Sequence, residues 1–376
     1  MSFLFLNDST RNHFKNTNKI LNQAIEDKVS SGLVLGVSSL KLESEEFYFF
    51  RGNRREHPSV QDLNYNTSFD LSSVTKVVAT TPLVFYYIER GYLTLDTPLT
   101  KFFNYSHFKD ITIGHLLSHT SGLVAWEPYW EASFQKMGLG LYQNSISDRQ
   151  NKIRNQIFNT PPKCAPGEVC LYSDLNFMLL GFICEEIGNR FFDELAEKEI
   201  FERFEIEGLR FNRTTSEPNY LNDEESAATE RCPWRGVILQ GQVHDDNCSV
   251  MGGFGGHAGC FGTAPDLILF VKKLFNRFFS SETLKVMTQS VSYKKSFIRS
   301  FGWDKPSIEE SLVGDLYSRH SIGHWGFTGT SLWIDLQRKI VVTLLTNRVH
   351  YGRDNQKLKI YRPKIHDAVI MDLVSF

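Results

Sequence analysis

Stretches rich in β-branched and aromatic residues stand near both ends of this chain, with mostly helical patterns between them, and that arrangement limits the folds open to it. Residues 33–40 and 46–50 read as the two strands of a hairpin, the second carrying Phe47, Tyr48, Phe49 and Phe50. Residues 330–335 and 340–346 read as a second hairpin, joined by Leu336, Gln337, Arg338 and Lys339. Outside these pairs, Phe14, Ile20, Leu21, Ala24, Ile25 and Val29 recur every three or four residues, which predicts a first helix with Asp8 or Ser9 as cap and Gly32 as stop. A last helix is expected with Pro363 in its first turn and an apolar face of Ile365, Val369, Ile370, Leu373 and Val374. The expected class is α/β (α+β): an antiparallel sheet drawn from both chain ends, covered by the first and last helices, with a helical lobe inserted between.

The middle of the chain predicts helices over residues 73–89, 113–118 and 174–187, and an aromatic-rich helical stretch over 126–158. Thr263 and Asp266 form a capping pattern ahead of Leu267, Ile268, Phe270 and Val271. Pro82 lacks an amide proton and is expected to kink or end its helix about ten residues in. With 376 residues, 41% hydrophobic and 22% charged, the chain has the makings of a large globular core in two lobes or one large domain.

Charge and segment lengths narrow the partners. Lysine and arginine number 41 against 43 acidic residues, so there is no broad pull toward nucleic acid or anionic membrane, and a small substrate fits better. The longest compact apolar stretch with a helical reading, residues 177–184, is far short of the roughly 20 residues that span a bilayer, so no membrane span is expected. Residues 1–11 show no basic segment leading into an apolar run; a cytoplasmic location is expected, with a periplasmic or secreted form left open. The six cysteines are scattered without a Cys-x-x-Cys pair, as suits buried or free thiols in a reducing compartment.

A serine hydroxyl is a weak nucleophile at neutral pH, and a lysine one helical turn away can take its proton if desolvation keeps the amine partly neutral. Ser73 and Lys76 have that spacing, among Leu71, Val77, Val78 and Ala79. Spacing alone is weak, because Ser38/Lys41, Ser106/Lys109, Ser133/Lys136 and Ser292/Lys295 share it.

What singles out Ser73 is its company. Residues 70–76, reading DLSSVTK, resemble the nucleophile segment of the class C β-lactamase-like serine hydrolases, a family that includes penicillin-binding D-alanyl carboxypeptidases and esterases. In the same chain order, residues 112–123 (TIGHLLSHTSGL) resemble the family's HLLxHTSGL block. Pro166 and Gly167 followed by Tyr172, Ser173 and Asp174 resemble its second catalytic motif, and residues 324–329 (HWGFTG) its third. The resemblance implies a β-lactamase-like fold in one catalytic domain over residues 1–376, its α/β lobe at about 1–70 and 260–376 and its helical lobe at about 71–259. It implies Ser73 as nucleophile, Lys76 and Tyr172 as proton movers, the Ser73 and Phe327 amides as oxyanion hole, and His324, Gly326 and Asp174 at the substrate.

Two departures from the family pattern matter. Asp174 stands where class C enzymes have asparagine; its charge beside Lys76 favours the ammonium, and it can equally cap the helix that follows. His324 replaces the lysine of the β-lactamases, which removes a permanent cation and resembles the esterase and peptidase branches more. The expected activity is therefore acyl-enzyme hydrolysis of a small ester, amide or peptide, with carboxylesterase or D-amino-acid peptidase ahead of β-lactamase. A non-catalytic penicillin-binding or sensor protein on the same fold is the alternative. No metal or organic cofactor is required, and the oligomeric state is not legible.

Other unusual residues have blander readings. The glycine-rich run at residues 252–259 suits a loop close to a ligand or another backbone, without the lysine of a phosphate loop. His244, Asp245 and His257, and the pair His115 and His119, match no zinc pattern and read as cleft-lining or core groups. Trp126, Tyr129 and Trp130 are candidates for the cleft border, with helical core as their commoner fate.

Overall fold

The two expected hairpins meet edge to edge in a computed structural model that describes residues 13–214, 225–293, 297–307 and 311–374. Strands β1 (Gly32–Ser39), β2 (Glu46–Arg55), β3 (Gln61–Asp62), β4 (Ile322–Trp325), β5 (Ser331–Asp335) and β6 (Ile340–Thr346) form one antiparallel sheet in the order β4-β5-β6-β1-β2-β3. The N-terminal and C-terminal hairpins join through β1 and β6, with Leu33 opposite Thr346 and Val37 opposite Val342.

Successive strand residues point to opposite faces, and here both faces are buried. Val34, Val341, Leu345, Leu332 and Ile334 pack toward the large core that runs into the helical region. Leu33, Leu35, Val37, Val342, Leu344 and Trp333 pack the other way, against Leu21, Ala24, Ile365 and Val369 of the two terminal helices. Those helices are α1 (Lys15–Glu26) and, at the far end, Leu358–Val374; α2 (Asp174–Gly188) and α3 (Ala264–Lys273) lie between, and the terminal one is α4.

The helix ends differ from expectation in instructive ways. Asp8 and Ser9 lie outside the described residues, and the first turn of α1 is capped from the opposite end of the chain. Asp372 on α4 accepts from the Asn16 and Thr17 amides at 3.2 and 2.8 Å and from Thr17 Oγ1 at 2.8 Å. At its other end α1 stops at Glu26, before Lys28 turns left-handed (φ 53°), so Gly32 opens β1 instead of closing the helix. Pro363 lies beyond the first turn of α4; its missing amide leaves the Lys359 carbonyl, on an exposed residue, without its helical donor. The expected Thr263 and Asp266 capping box is formed on both sides, at 3.3 and 3.0 Å.

In the helical region, residues 126–158 divide into Tyr129–Met137, a 3-10 stretch Gly138–Gln143, and Ile146–Phe158. Gly138 at φ 54° breaks the first helix, and the Ser145 hydroxyl accepts from the Asp148 amide (3.1 Å) to start the next. Before the nucleophile, Phe69–Asp70 pairs with Cys260–Gly262, which also pairs with Arg210–Phe211, so the chain enters the Ser73 turn pinned on a short strand. Ser72–Val74 is then a 3-10 turn, Lys76–Thr80 a π turn, and Thr81–Glu89 an α-helix. Pro82 therefore does not end the helix. It sits in the first α-helical turn, where its fixed φ is tolerated, and the irregularity falls before it.

Candidate active site

Three side chains distant in sequence converge on one hydroxyl. Lys76 Nζ donates to Ser73 Oγ at 2.9 Å, and Tyr172 Oη donates to the same oxygen at 2.8 Å. Lys76 is wholly buried and spends its other protons on Asp174 Oδ1 at 2.7 Å and the His257 carbonyl at 3.0 Å. Of the two roles open to Asp174, the structure shows the ion pair: the residue begins α2 with its carboxylate turned to Lys76.

The neighbouring sequence blocks hold these groups in place. Leu171 N–H donates to the His119 carbonyl (2.9 Å), Ser173 N–H to His119 Nδ1 (3.0 Å), and Asp174 N–H to the Ala125 carbonyl (2.8 Å). The segment around residues 119–125 is thus a template for Tyr172, and the His119 ring packs on the phenol at 4.7 Å between centroids. His115 serves differently, in a capping box with Thr112 at the start of Ile113–Leu117. The glycine-rich run brings backbone close to α2: a Cβ on Gly256 would stand 3.0 Å from Gly181 Cα. That approach delivers the His257 carbonyl to Lys76, while His257 Nε2 pairs with Asp245 Oδ1 at 3.1 Å. Among the described residues no set of three His, Cys, Asp or Glu side chains is placed to hold a metal ion.

Electrostatics fix the resting protons. Burial pushes the Lys76 ammonium down, but the Asp174 carboxylate and the Tyr172 oxygen outweigh it, and the net shift is upward. Burial drives the Tyr172 phenol up to about 12 against the opposing pull of Lys76. Both groups are protonated at neutral pH. His324 is pushed down to about 4 by burial, so its imidazole is neutral; Nδ1–H donates to the Trp325 carbonyl at 2.9 Å and the ring lies 5.8 Å from that of Tyr172. Nε2 is buried and has no hydrogen-bond partner among the described residues.

The third motif closes the site from β4. Gly326 is required there, since a Cβ would come within 2.6 Å of the Leu71 carbonyl. Thr328 Oγ1 donates to the Asp70 carbonyl (2.8 Å) and Thr330 Oγ1 to that of Leu71 (2.9 Å), which ties the motif to the nucleophile turn. The Phe327 amide, expected in the oxyanion hole, donates to Ser72 Oγ at 3.1 Å. Sequence reasoning did not mark Ser72, Asp70 or the hub role of His119, because each acts on a backbone amide far away in the chain.

Ser72, Ser73, Asp174, Trp126, Asp245 and Phe327 border a cleft of about 290 Å³. Trp126 is on its rim, whereas Tyr129 is buried and Trp130 stacks on Trp234 at 4.7 Å. A larger surface hollow of about 790 Å³ at Arg154, Glu185 and Arg190 holds none of the motif residues. Elsewhere, Ser38 lies on β1 with its hydroxyl bonded to the Glu45 carbonyl, so its spacing to Lys41 is not a helical one; Lys295 lies outside the described residues.

The Beta-lactamase family pattern matches residues 21–366. The chain belongs to the beta-lactamase family. This family member is 28% identical over 316 residues to a "Putative D-alanyl-D-alanine carboxypeptidase" of Escherichia coli (strain K12), covering 76% of this chain and 70% of that one. It is 27% identical over 316 residues to an "N-acetylmuramyl-L-alanine amidase" of Bacillus subtilis (strain 168), covering 76% and 68%. Among solved structures, the hydrolase EstCE1 superposes with a TM-score of 0.71 at 19% identity, covering 96% of this chain and all (100%) of that one. A D-amino acid amidase from Ochrobactrum anthropi SV3 does so with a TM-score of 0.71 at 16% identity, covering 96% and 99%. The beta-lactamase family member described here is a serine hydrolase with the mixed α/β fold of these relatives. No helix among its described residues is long and apolar enough to cross a membrane.

Proposed function

We propose that the chain hydrolyses small esters or amides, peptides included, through an acyl-enzyme on Ser73. The observation that carries this is the double approach to Ser73 Oγ by Lys76 Nζ at 2.9 Å and Tyr172 Oη at 2.8 Å. In the minor form whose phenol proton has passed to solvent, Tyr172 takes the proton of Ser73 as Oγ attacks the carbonyl carbon. Lys76 holds the developing negative charge between the two oxygens. Tyr172 then returns the proton to the departing alcohol or amine, and water repeats the sequence in reverse to release the acid. The Ser73 N–H is one oxyanion donor: its neighbours Ser72 N–H and Val74 N–H are taken by Asp70 Oδ1 (2.8 Å) and the Leu71 carbonyl (3.0 Å), which leaves the amide between them for an incoming oxygen.

The neutral His324 favours carboxylesterase or D-amino-acid peptidase chemistry over β-lactam turnover, since no fixed cation stands on β4 to meet a β-lactam carboxylate. The names of the carboxypeptidase, the amidases and EstCE1 point the same way. In the test, purified protein hydrolyses p-nitrophenyl butyrate and Ser73→Ala abolishes it; equal rates for both proteins reject the proposal. One observation favours a second reading, a slow-turnover penicillin sensor: the Asp174 carboxylate paired with Lys76 also raises the Tyr172 phenol, keeps its base form scarce and so slows turnover. A benzylpenicillin adduct that persists for hours, with no ester turnover, selects that reading.

A further inference from the structure

Ser72 is unusual in three respects at once. Its backbone is left-handed (φ 49°), a conformation that a side chain of this kind rarely adopts. Its hydroxyl oxygen accepts the Phe327 N–H at 3.1 Å, the very amide that the motif places at the oxyanion. Its hydroxyl proton finds no acceptor among the described residues, although the residue is only 7% exposed and borders the cleft beside Ser73. The left-handed turn is held from below, where the Ser72 N–H donates to Asp70 Oδ1 at 2.8 Å and Asp70 Oδ2 takes the His244 N–H at 2.6 Å. A hydroxyl polarised by a backbone donor on one side, with an unspent proton on the other, is a hydrogen-bond donor set toward the cleft.

Resting on the acyl-enzyme proposal, we infer that Ser72 is a catalytic residue: its hydroxyl donates to the oxyanion, and the Phe327 amide acts behind it. As Ser73 Oγ bonds to the carbonyl carbon, the carbonyl π pair moves onto oxygen; that anion takes hydrogen bonds from Ser73 N–H and Ser72 O–H. Collapse restores the carbonyl and expels the leaving group with the bonding pair. Ser72 keeps its proton throughout, so it stabilises charge and transfers nothing.

Ser72→Gly is informative because glycine fits the left-handed backbone while the whole hydroxymethyl group is lost, and Ser72→Ala beside it removes the hydroxyl alone. With p-nitrophenyl butyrate, kcat falls about 100-fold with KM little changed, while the melting temperature is at least that of the parent. Ser72→Ala shows the same loss of kcat, and inhibition by phenylboronic acid, whose tetrahedral adduct presents an oxygen to the same donors, weakens in parallel in both variants. A folded Ser72→Gly or Ser72→Ala that keeps or exceeds the parent rate overturns the inference; the hydroxyl would then merely block the Phe327 amide. A parent protein with no ester hydrolysis overturns the acyl-enzyme proposal itself and this inference with it.

Discussion

Asp174 sets the proton balance at the residue scale. Its carboxylate raises both Lys76 and Tyr172, so the base form is scarce at neutral pH and kcat/KM rises as the solution becomes alkaline. Asp174→Asn removes that charge, lets both groups lose protons more readily, and shifts the rise of the pH profile to lower pH by about one unit. A profile that stays in place contradicts this account of Asp174. Tyr172→Phe removes a group that acts in the transition state; kcat falls at least about 100-fold with KM little changed in steady-state kinetics. Ser73, Lys76 and Tyr172 were legible in the sequence because their roles rest on side-chain type, order and spacing. Asp174 was visible with two roles open, since a carboxylate at a helix start serves either. Ser72 was not legible: its partner is the amide of Phe327, and a bond to a distant backbone leaves no signature in residue identity.

At the scale of elements, the hairpin strands β1, β2, β5 and β6 were readable because β-branched and aromatic residues mark them, whereas the short β3 and β4 carry no such run and had no reading. The helices were readable in their interiors and less so at their ends. Gly138 divides what reads as one helix, and Pro82 sits inside a helix start because a π turn precedes it. The cap of α1 comes from Asp372, a residue from the last turn of the chain, so no local pattern could reveal it. Asp372→Ala leaves two amides of that first turn without their acceptor and costs about 1–2 kcal/mol in urea unfolding, with p-nitrophenyl butyrate hydrolysis at the parental rate. An unchanged unfolding midpoint would show that the cap carries no weight.

At the scale of the molecule, the sheet drawn from both chain ends has one face toward the terminal helices and one toward the core that holds the nucleophile turn. Leu344 and Leu345 are neighbours on β6 that point to opposite faces and are both fully buried. Leu344→Ala and Leu345→Ala each cost roughly 2–5 kcal/mol in denaturant unfolding; a near-neutral value for either would mean that its face is open to water. The meeting of the chain ends was legible from the strand pattern, and the inserted helices from their periodicity. The cleft itself was not, because it forms where residues 70–76, 172–174, 244–258 and 324–330 close on one another. The central claim is that the hydroxyl of Ser73 carries the acyl group. Brief exposure to a fluorophosphonate, followed by intact mass and peptide mapping, tests it most directly: one adduct on the peptide containing Ser73, absent in Ser73→Ala and formed at least about 100-fold more slowly in Tyr172→Phe, is the predicted result. Labelling of any other residue, or equal labelling of Ser73→Ala, contradicts it.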